Sequence, residues 1–404
     1  MLLKSTIREV IQSQQEQLES RDTGIGRQLL DEIRLDTGFV LIITGIRRSG
    51  KSTLLRQLIR GKIQGACFLN FEDPMLTGFE SKDFVKLDEI FPESNDDPFY
   101  VFDEIQNIKG WENYIRYKQD NGKKIILTGS NATLLSKELG TKLTGRHLDY
   151  ELYPFSYSEY LKMTRSVSGI NSFMNYMNTG GFPEYIKYGE KEILYRITDD
   201  ILYRDITARH GIRHHTVLKE LLIYLITNNG KLFSYNNLKK IFSLGSPNTV
   251  SDYISFFEDS YLLFTVPKFS YSVKKQMTNL RKTYTIDTGL AGINSLSMSK
   301  DMGRKLENLL FIHLRKKYKR IFYYAERGEC DFLVQEKEKI TKAIQVCYEL
   351  NPDNLDRELD GLYEAMQAVN ITEGLIITVN QEDHFAKDKM SVRVIPAWKW
   401  LAEG

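Results

Sequence analysis

A chain of 404 residues is too long for one small hydrophobic core, so two or three domains are expected. Its 42% hydrophobic, 27% charged and 12% aromatic composition excludes a disordered or low-complexity protein. With 55 basic against 53 acidic residues the formal net charge is +2, so any nucleic-acid contact has to come from a local patch rather than a global field.

Three cysteines, Cys67, Cys330 and Cys347, have no zinc-ligand spacing and leave one unpaired, which fits a reducing compartment. The start, Met1-Leu2-Leu3-Lys4-Ser5, lacks the apolar core of a secretory signal, and no apolar run approaches the ~20 residues that span a bilayer. A cytoplasmic protein without membrane contact is the expectation.

Residues 5 to 35 read as helical up to the Thr37-Gly38 breaker. Phe39 to Thr44 is an unbroken β-branched and aliphatic run, as expected of a strand buried on both faces of a parallel sheet. A glycine loop and a helix from Thr53 to Ile63 follow. Further apolar runs at Ala66 to Phe71, Phe99 to Phe102 and Lys124 to Thr128 recur at helix-and-loop intervals, which predicts βαβ units in an α/β domain.

Gly45-Ile46-Arg47-Arg48-Ser49-Gly50-Lys51-Ser52 fits the pattern G-x-x-x-x-G-K-S/T and lies between a strand and a helix, where a phosphate-binding loop has to lie. Its amides can curl around phosphate oxygens, Lys51 can neutralise the β and γ charges, and Ser52 can ligate magnesium. Gly45, Arg48, Ser49, Gly50, Lys51, Ser52 and Thr53 are therefore the expected contacts of ATP with Mg2+. Asp103 and Glu104 end the apolar strand at Phe99 to Phe102: Asp103 is expected to hold the magnesium and Glu104 to polarise an attacking water. Ser130 and Asn131, ending the next strand, either sense the γ-phosphate or simply form a turn. Arg146 is either a charge-stabilising finger for a neighbouring subunit's ATP or a plain surface arginine.

Together these residues resemble the AAA+ superfamily, in particular the bacterial and archaeal family of predicted ATPases whose C-terminal half is a domain of unknown function. The blocks that carry the resemblance are Gly45 to Thr53, Phe102 to Gln106, Leu127 to Asn131, Gly145-Arg146 with Tyr153-Pro154-Phe155-Ser156, and Gly180-Gly181-Phe182-Pro183-Glu184. The resemblance implies a P-loop parallel-sheet domain and ATP hydrolysis. It also implies a homo-oligomeric ring, a hexamer among the expected sizes, with ATP at subunit interfaces, which would give Arg146 its trans role and Ser130 or Asn131 the sensor role.

The expected division is an ATPase domain over 1–154, a helical connector or lid over 155–212, a third domain over 213–290 and a fourth over 291–404. The third has helical patterns at 216–228, from Ser234 to Phe242 and from Ser246, followed by β-rich stretches at 262–266 and 283–286 flanking Lys268, Lys274, Lys275, Arg281 and Lys282. Three helices and a basic hairpin look like a winged helix-turn-helix. Ser246, Asn248 and Thr249 at the third helix's start, with Lys274 and Lys275 on the hairpin, are candidate DNA contacts. Use of the same fold for protein contacts stays open.

The last domain carries Glu307, Asp331 and Gln345 in an order that resembles the restriction-endonuclease-like fold. In that family's acid-x-lysine pair the acid here is Gln345 and the lysine is Cys347, so nuclease activity is not expected, while weak metal binding by Glu307, Asp331 and Gln345 stays open. Two classes of function follow: a DNA-acting ATP-driven motor or remodeller, or a nucleotide switch for a signalling or defence assembly whose C-terminal half binds a protein partner.

Overall fold

The computed structural model describes residues 1–63, 65–91, 98–130, 145–297 and 301–403. The chain forms two compact units, Met1–Tyr153 and Pro154–Gly404.

The first unit begins with helix α1 (Lys4–Ser20) and the short α2 (Leu29–Glu32). The remaining elements are β1 (Val40–Thr44), α3 (Lys51–Gly61), β2 (Ala66–Asn70), α4 (Phe84–Ile90), β3 (Phe99–Asp103), α5 (Trp111–Asp120), β4 (Ile125–Gly129) and β5 (His147–Glu151). The strands form one parallel sheet in the order β2-β3-β4-β1-β5. Side chains alternate across it, so β1 sends Val40 and Ile42 to one face and Leu41 and Ile43 to the other. The first face is covered by Ile7, Val10 and Ile11 of α1, Phe84 and Leu87 of α4, and Trp111, Tyr114 and Ile115 of α5. The second face receives Leu54, Leu55 and Leu58 of α3. Burial of each such side chain contributes roughly 1.5–3 kcal/mol, and burial on both faces is why these strands read as continuous apolar runs.

The structure departs from the sequence reading in two places here. The helix expected over 5–35 ends at Ser20, and residues 21–28 run as an irregular segment packed on α3, where Gln57 Nε2 donates to the carbonyls of Thr23 (2.7 Å) and Ile25 (2.6 Å). Strand β5, not anticipated, has the mixed sequence His147-Leu148-Asp149-Tyr150-Glu151 and is the half-covered edge strand beside β1.

The second unit opens with helices Tyr157–Thr164, Ile170–Thr179, Pro183–Tyr188 and Lys191–Asp200. The last of these continues as π-helix over Ile201–Thr207. Its buried residues form two adjacent rows that recur every fourth position, Leu194, Thr198, Leu202 and Ile206 beside Ile197, Ile201 and Asp205, wider than the 3.6 spacing of an α-helix. The Gly180-Gly181 turn is fixed by a buried acid: Asp287 Oδ2 accepts from Gly181 N–H at 2.6 Å and Oδ1 accepts from Leu290 N–H at 2.9 Å. A Cβ on Gly180 would stand 2.2 Å from Asp287 Oδ1, and its φ of +76° also calls for glycine.

Helices His215–Thr227, Tyr235–Ile241 and Pro247–Asp259 accompany a three-stranded antiparallel sheet, β6 (Leu232–Phe233), β7 (Leu263–Pro267) and β8 (Arg281–Thr285), in the order β6-β8-β7. The link from β7 to β8 is not a tight hairpin, because it contains a helix, Val273–Thr278. After helix Met302–Lys317 come β9 (Arg320–Ala325), β10 (Glu329–Glu336) and β11 (Lys339–Val346), then helix Leu355–Ala368. β12 (Glu373–Thr378), β13 (Asp383–Lys387), β14 (Met390–Pro396) and a closing helix Ala397–Glu403 follow. These six strands make one mixed sheet, β13-β14-β12-β11-β10-β9. No helix among the described residues is long and apolar enough to cross a membrane.

Asp287→Ala removes the acceptor for two buried amides and is expected to lower stability by about 2 kcal/mol. Urea unfolding with an unchanged denaturant slope checks this.

Candidate functional site

Strand β1 delivers Thr44 to the sheet's carboxyl edge, and the chain turns at Gly45, where a Cβ would lie 2.1 Å from the Leu152 carbonyl oxygen. Only glycine fits. Arg48 (φ 63°) and Gly50 (φ 101°) take left-handed conformations, so the loop curls and α3 starts at Lys51 with its amide end facing the concavity. Curled amides and a helix N-terminus together favour an anion.

The strand order sets what faces this loop. β4 lies between β1 and β3, yet Ser52 Oγ reaches Asp103 Oδ2 on β3 at 2.7 Å. Thr128, at the end of β4, donates its hydroxyl to Asp103 Oδ1 and accepts from Glu104 N–H at 3.2 Å. Burial, and then the charge of Glu104, push the Asp103 carboxyl above its ordinary range against these hydrogen bonds. Glu104 is held by Lys51, 3.5 Å away, and by Gln106 Nε2. Burial works to raise its pKa too, but Lys51, Gln106 and Arg47 outweigh it, and the carboxyl lies below the usual value. Glu104 is thus the stronger acid of the pair.

Lys51 Nζ is turned onto its own loop, donating to Gly45 O (3.1 Å) and Ile46 O (3.4 Å). Ser49 Oγ in the same loop and Ser130 Oγ just after β4 are buried with no hydrogen-bond partner among the described residues. Buried hydroxyls without partners are costly. Two such donors, a buried lysine, curled amides and an Asp103–Ser52 pair fit a triphosphate with a hard divalent cation. A cavity of about 220 Å³, lined among others by Ser52, Asp103, Arg56 and Gln14, opens beside the pair.

Arg27 was not singled out by sequence. Its guanidinium is buried and donates to Ser49 O through Nη1 and to Tyr153 O through Nη2, both at 2.6 Å, tying the loop to the segment after β5. The sequence signal is slight: a lone arginine after Gly24-Ile25-Gly26 in a stretch that otherwise reads as helix.

Of the other expected contacts, Thr53 Oγ1 accepts from Arg56 Nη2 at 2.9 Å, and Arg48 is exposed at the loop's rim. Asn131 lies outside the described residues. Arg146 is not brought to the loop. It precedes β5 at the amino edge of the sheet, its carbonyl accepting from Val40 N–H and its exposed side chain 3.5 Å from Asp120.

Residues 37–161, which contain all five strands of this sheet, match the AAA domain family, and residues 170–301 match a domain of unknown function, DUF8612. An uncharacterized protein of Methanocaldococcus jannaschii is 34% identical over 406 aligned positions, covering 91% of this chain and 89% of that protein. The chain belongs to the AAA family of P-loop ATPases. An uncharacterized protein of Haemophilus influenzae is similar at 31% identity, with 81% of this chain and 86% of that one aligned. Among solved structures, a Walker-type ATPase of Pyrococcus abyssi is similar at 15% identity and a TM-score of 0.42, covering 66% of this chain and 93% of that one.

In the second unit of this AAA protein, Ser246 caps helix Pro247–Asp259. Its Oγ accepts from Thr249 N–H at 3.1 Å and lies 3.1 Å from Thr249 Oγ1, while Asn248 stays exposed. Lys274 and Lys275 sit, exposed, on helix Val273–Thr278 rather than at a hairpin tip. Lys268 pairs with Glu326 at 2.9 Å, and Lys282 is buried. Lys282 Nζ lies 2.9 Å from both Glu307 Oε1 and Asp331 Oδ1. Gln345 instead joins Asp331 N–H to Glu358, and burial pushes the Cys347 thiol up to about 11.

Arg27→Met leaves two buried carbonyls unpaired, with an expected loss of about 2 kcal/mol. A denaturation curve measures that loss. The loosened loop is also expected to bind an ATP analogue roughly tenfold more weakly, about 1.4 kcal/mol.

Proposed function

We propose that this AAA protein binds ATP with magnesium at the loop after β1 and hydrolyses it. The observation that carries the reading is the 2.7 Å hydrogen bond from Ser52 to Asp103, which brings a loop hydroxyl and a buried carboxylate to one point. Magnesium bound there supplies charge neutralisation for the β and γ phosphates. Lys51 exchanges the carbonyls of Gly45 and Ile46 for phosphate oxygens, which also offer acceptors to the Ser49 and Ser130 hydroxyls, unpartnered among the described residues. Released from Lys51, the ionised Glu104 accepts the proton of the attacking water. In a ring of identical subunits, hexameric in the expected case, Arg146 serves a neighbour's ATP, in keeping with its place at the far edge of its own sheet.

The wider reading is action on DNA, supported by exposed Lys274 and Lys275 on helix Val273–Thr278 and by exposed Asn248 in the first turn of the Ser246-capped helix of a winged-helix-like arrangement. One observation favours the second reading, a nucleotide switch that holds a protein partner. The hydroxyls of Ser246 and Thr249 are engaged with each other, while apolar Tyr271, Val273 and Met277 are exposed around the lysines.

Glu104→Gln is expected to keep ATP affinity and to lower turnover about 10²–10⁴-fold. Unaltered hydrolysis by that variant would remove Glu104 as the base, and Lys51→Ala that still binds and hydrolyses ATP would remove the site. If DNA is the partner, changing Lys274 and Lys275 together to alanine weakens binding regardless of sequence and reduces the salt slope of affinity by about 2. No affinity of the unaltered chain for duplex or branched DNA at low salt leaves the switch reading standing.

A further inference from the structure

Two carboxylates face one ammonium inside the second unit. Exposure of the side chains is 10% for Lys282, 12% for Glu307 and 10% for Asp331, and the Nζ stands 2.9 Å from an oxygen of each acid. Two acids withdrawn from water to this degree demand positive charge, since each costs several kcal/mol to bury uncompensated. In a site of oxygen donors either a basic side chain or a hard divalent cation can meet that demand, at the point where the carboxylates converge.

Here the point is taken. Glu307 Oε1 accepts from Lys282 and, at 2.5 Å, from the Tyr284 hydroxyl. Asp331 gives Oδ1 to Lys282 and Oδ2 to the Val346 N–H at 3.0 Å. The side chain next along β11, Gln345, adds no charge. Among the described residues no group of three or more His, Cys, Asp and Glu is placed to hold a metal.

We infer that the Lys282 ammonium is the resident cation of this centre, standing where a divalent metal would sit between Glu307 and Asp331, and that the centre becomes a divalent-cation site when Lys282 is removed. An ammonium balances the charge as a metal would, but it has no open coordination position and cannot turn a bound water into hydroxide at neutral pH. The centre is therefore closed to metal-assisted hydrolysis. It fastens three elements instead: β8, which carries Lys282 from the three-stranded sheet, helix Met302–Lys317 and strand β10 of the six-stranded sheet.

The test uses the full chain without nucleotide and Mn2+ as the probe, followed by calorimetry and by thermal unfolding in Mn2+ against chelator. The unaltered chain and Asp331→Ala are expected to take up Mn2+ alike. Lys282→Ala is expected to bind one additional Mn2+ at least ~100-fold more tightly than the unaltered chain binds any ion lost with Asp331, and to unfold at a higher temperature in Mn2+. Mn2+ uptake by the unaltered chain that disappears in Asp331→Ala overturns the proposal, as does a folded Lys282→Ala that takes up no additional ion. Should Lys282→Ala fail to fold, Lys282→Ala combined with Glu307→Gln decides. With one carboxylate neutralised it folds and binds no extra ion if charge balance is the role of Lys282, and its failure to fold assigns Lys282 to packing and ends the proposal.

Discussion

The hydrogen bond between Ser52 and Asp103 joins the first turn of α3 to a strand that is not its neighbour, because β4 stands between β1 and β3. Everything else in the first unit can be read as holding those two groups still. Thr128 grips the second oxygen of Asp103 from β4, and Arg27 pins Ser49 from outside the sheet. The bare Cα of Gly45 lets the turn press against Leu152. A carboxylate this deeply buried is unfavourable on its own, and it is kept by hydroxyl donors whose backbones are fixed by a packed sheet.

Much of this was legible in the sequence, for a reason tied to burial. Strands β1, β3 and β4 are covered on both faces and so are written as unbroken apolar runs, and the glycines and Lys51 between β1 and α3 follow a spacing that phosphate geometry imposes. Strand β5 was not legible, since an edge strand covered on one side can carry His147, Asp149 and Glu151 and still pair with β1. Arg27 was hidden for a different reason. Its acceptors are carbonyls 22 and 126 residues away, and a backbone oxygen leaves no trace in the letters.

The same blindness applied to charge in the second unit. Five cations flanking β7 and β8 looked alike as a basic stretch, yet their fates differ. Lys274 and Lys275 are in water, Lys268 meets an acid at the surface, and Lys282 is sunk between acids 25 and 49 residues further on. Sequence identified Glu307, Asp331, Gln345 and Cys347 as a depleted version of a metal centre. It could not show that a lysine from another strand fills the gap, because position in the chain says nothing about which strand passes by.

The π-wound stretch at Ile201–Thr207 has an effect on the opposite side of its helix from the core. By slowing the rotation per residue, it keeps Tyr203-Arg204 in phase with Tyr195-Arg196, eight positions earlier, where regular winding would turn the later pair well off to one side. Both tyrosines stay partly exposed while Leu194, Thr198, Leu202 and Ile206 remain on the buried side with Ile197, Ile201 and Asp205. A small slackening of the spiral thus aligns two repeats of the same aromatic-cation pair along one outward-looking line.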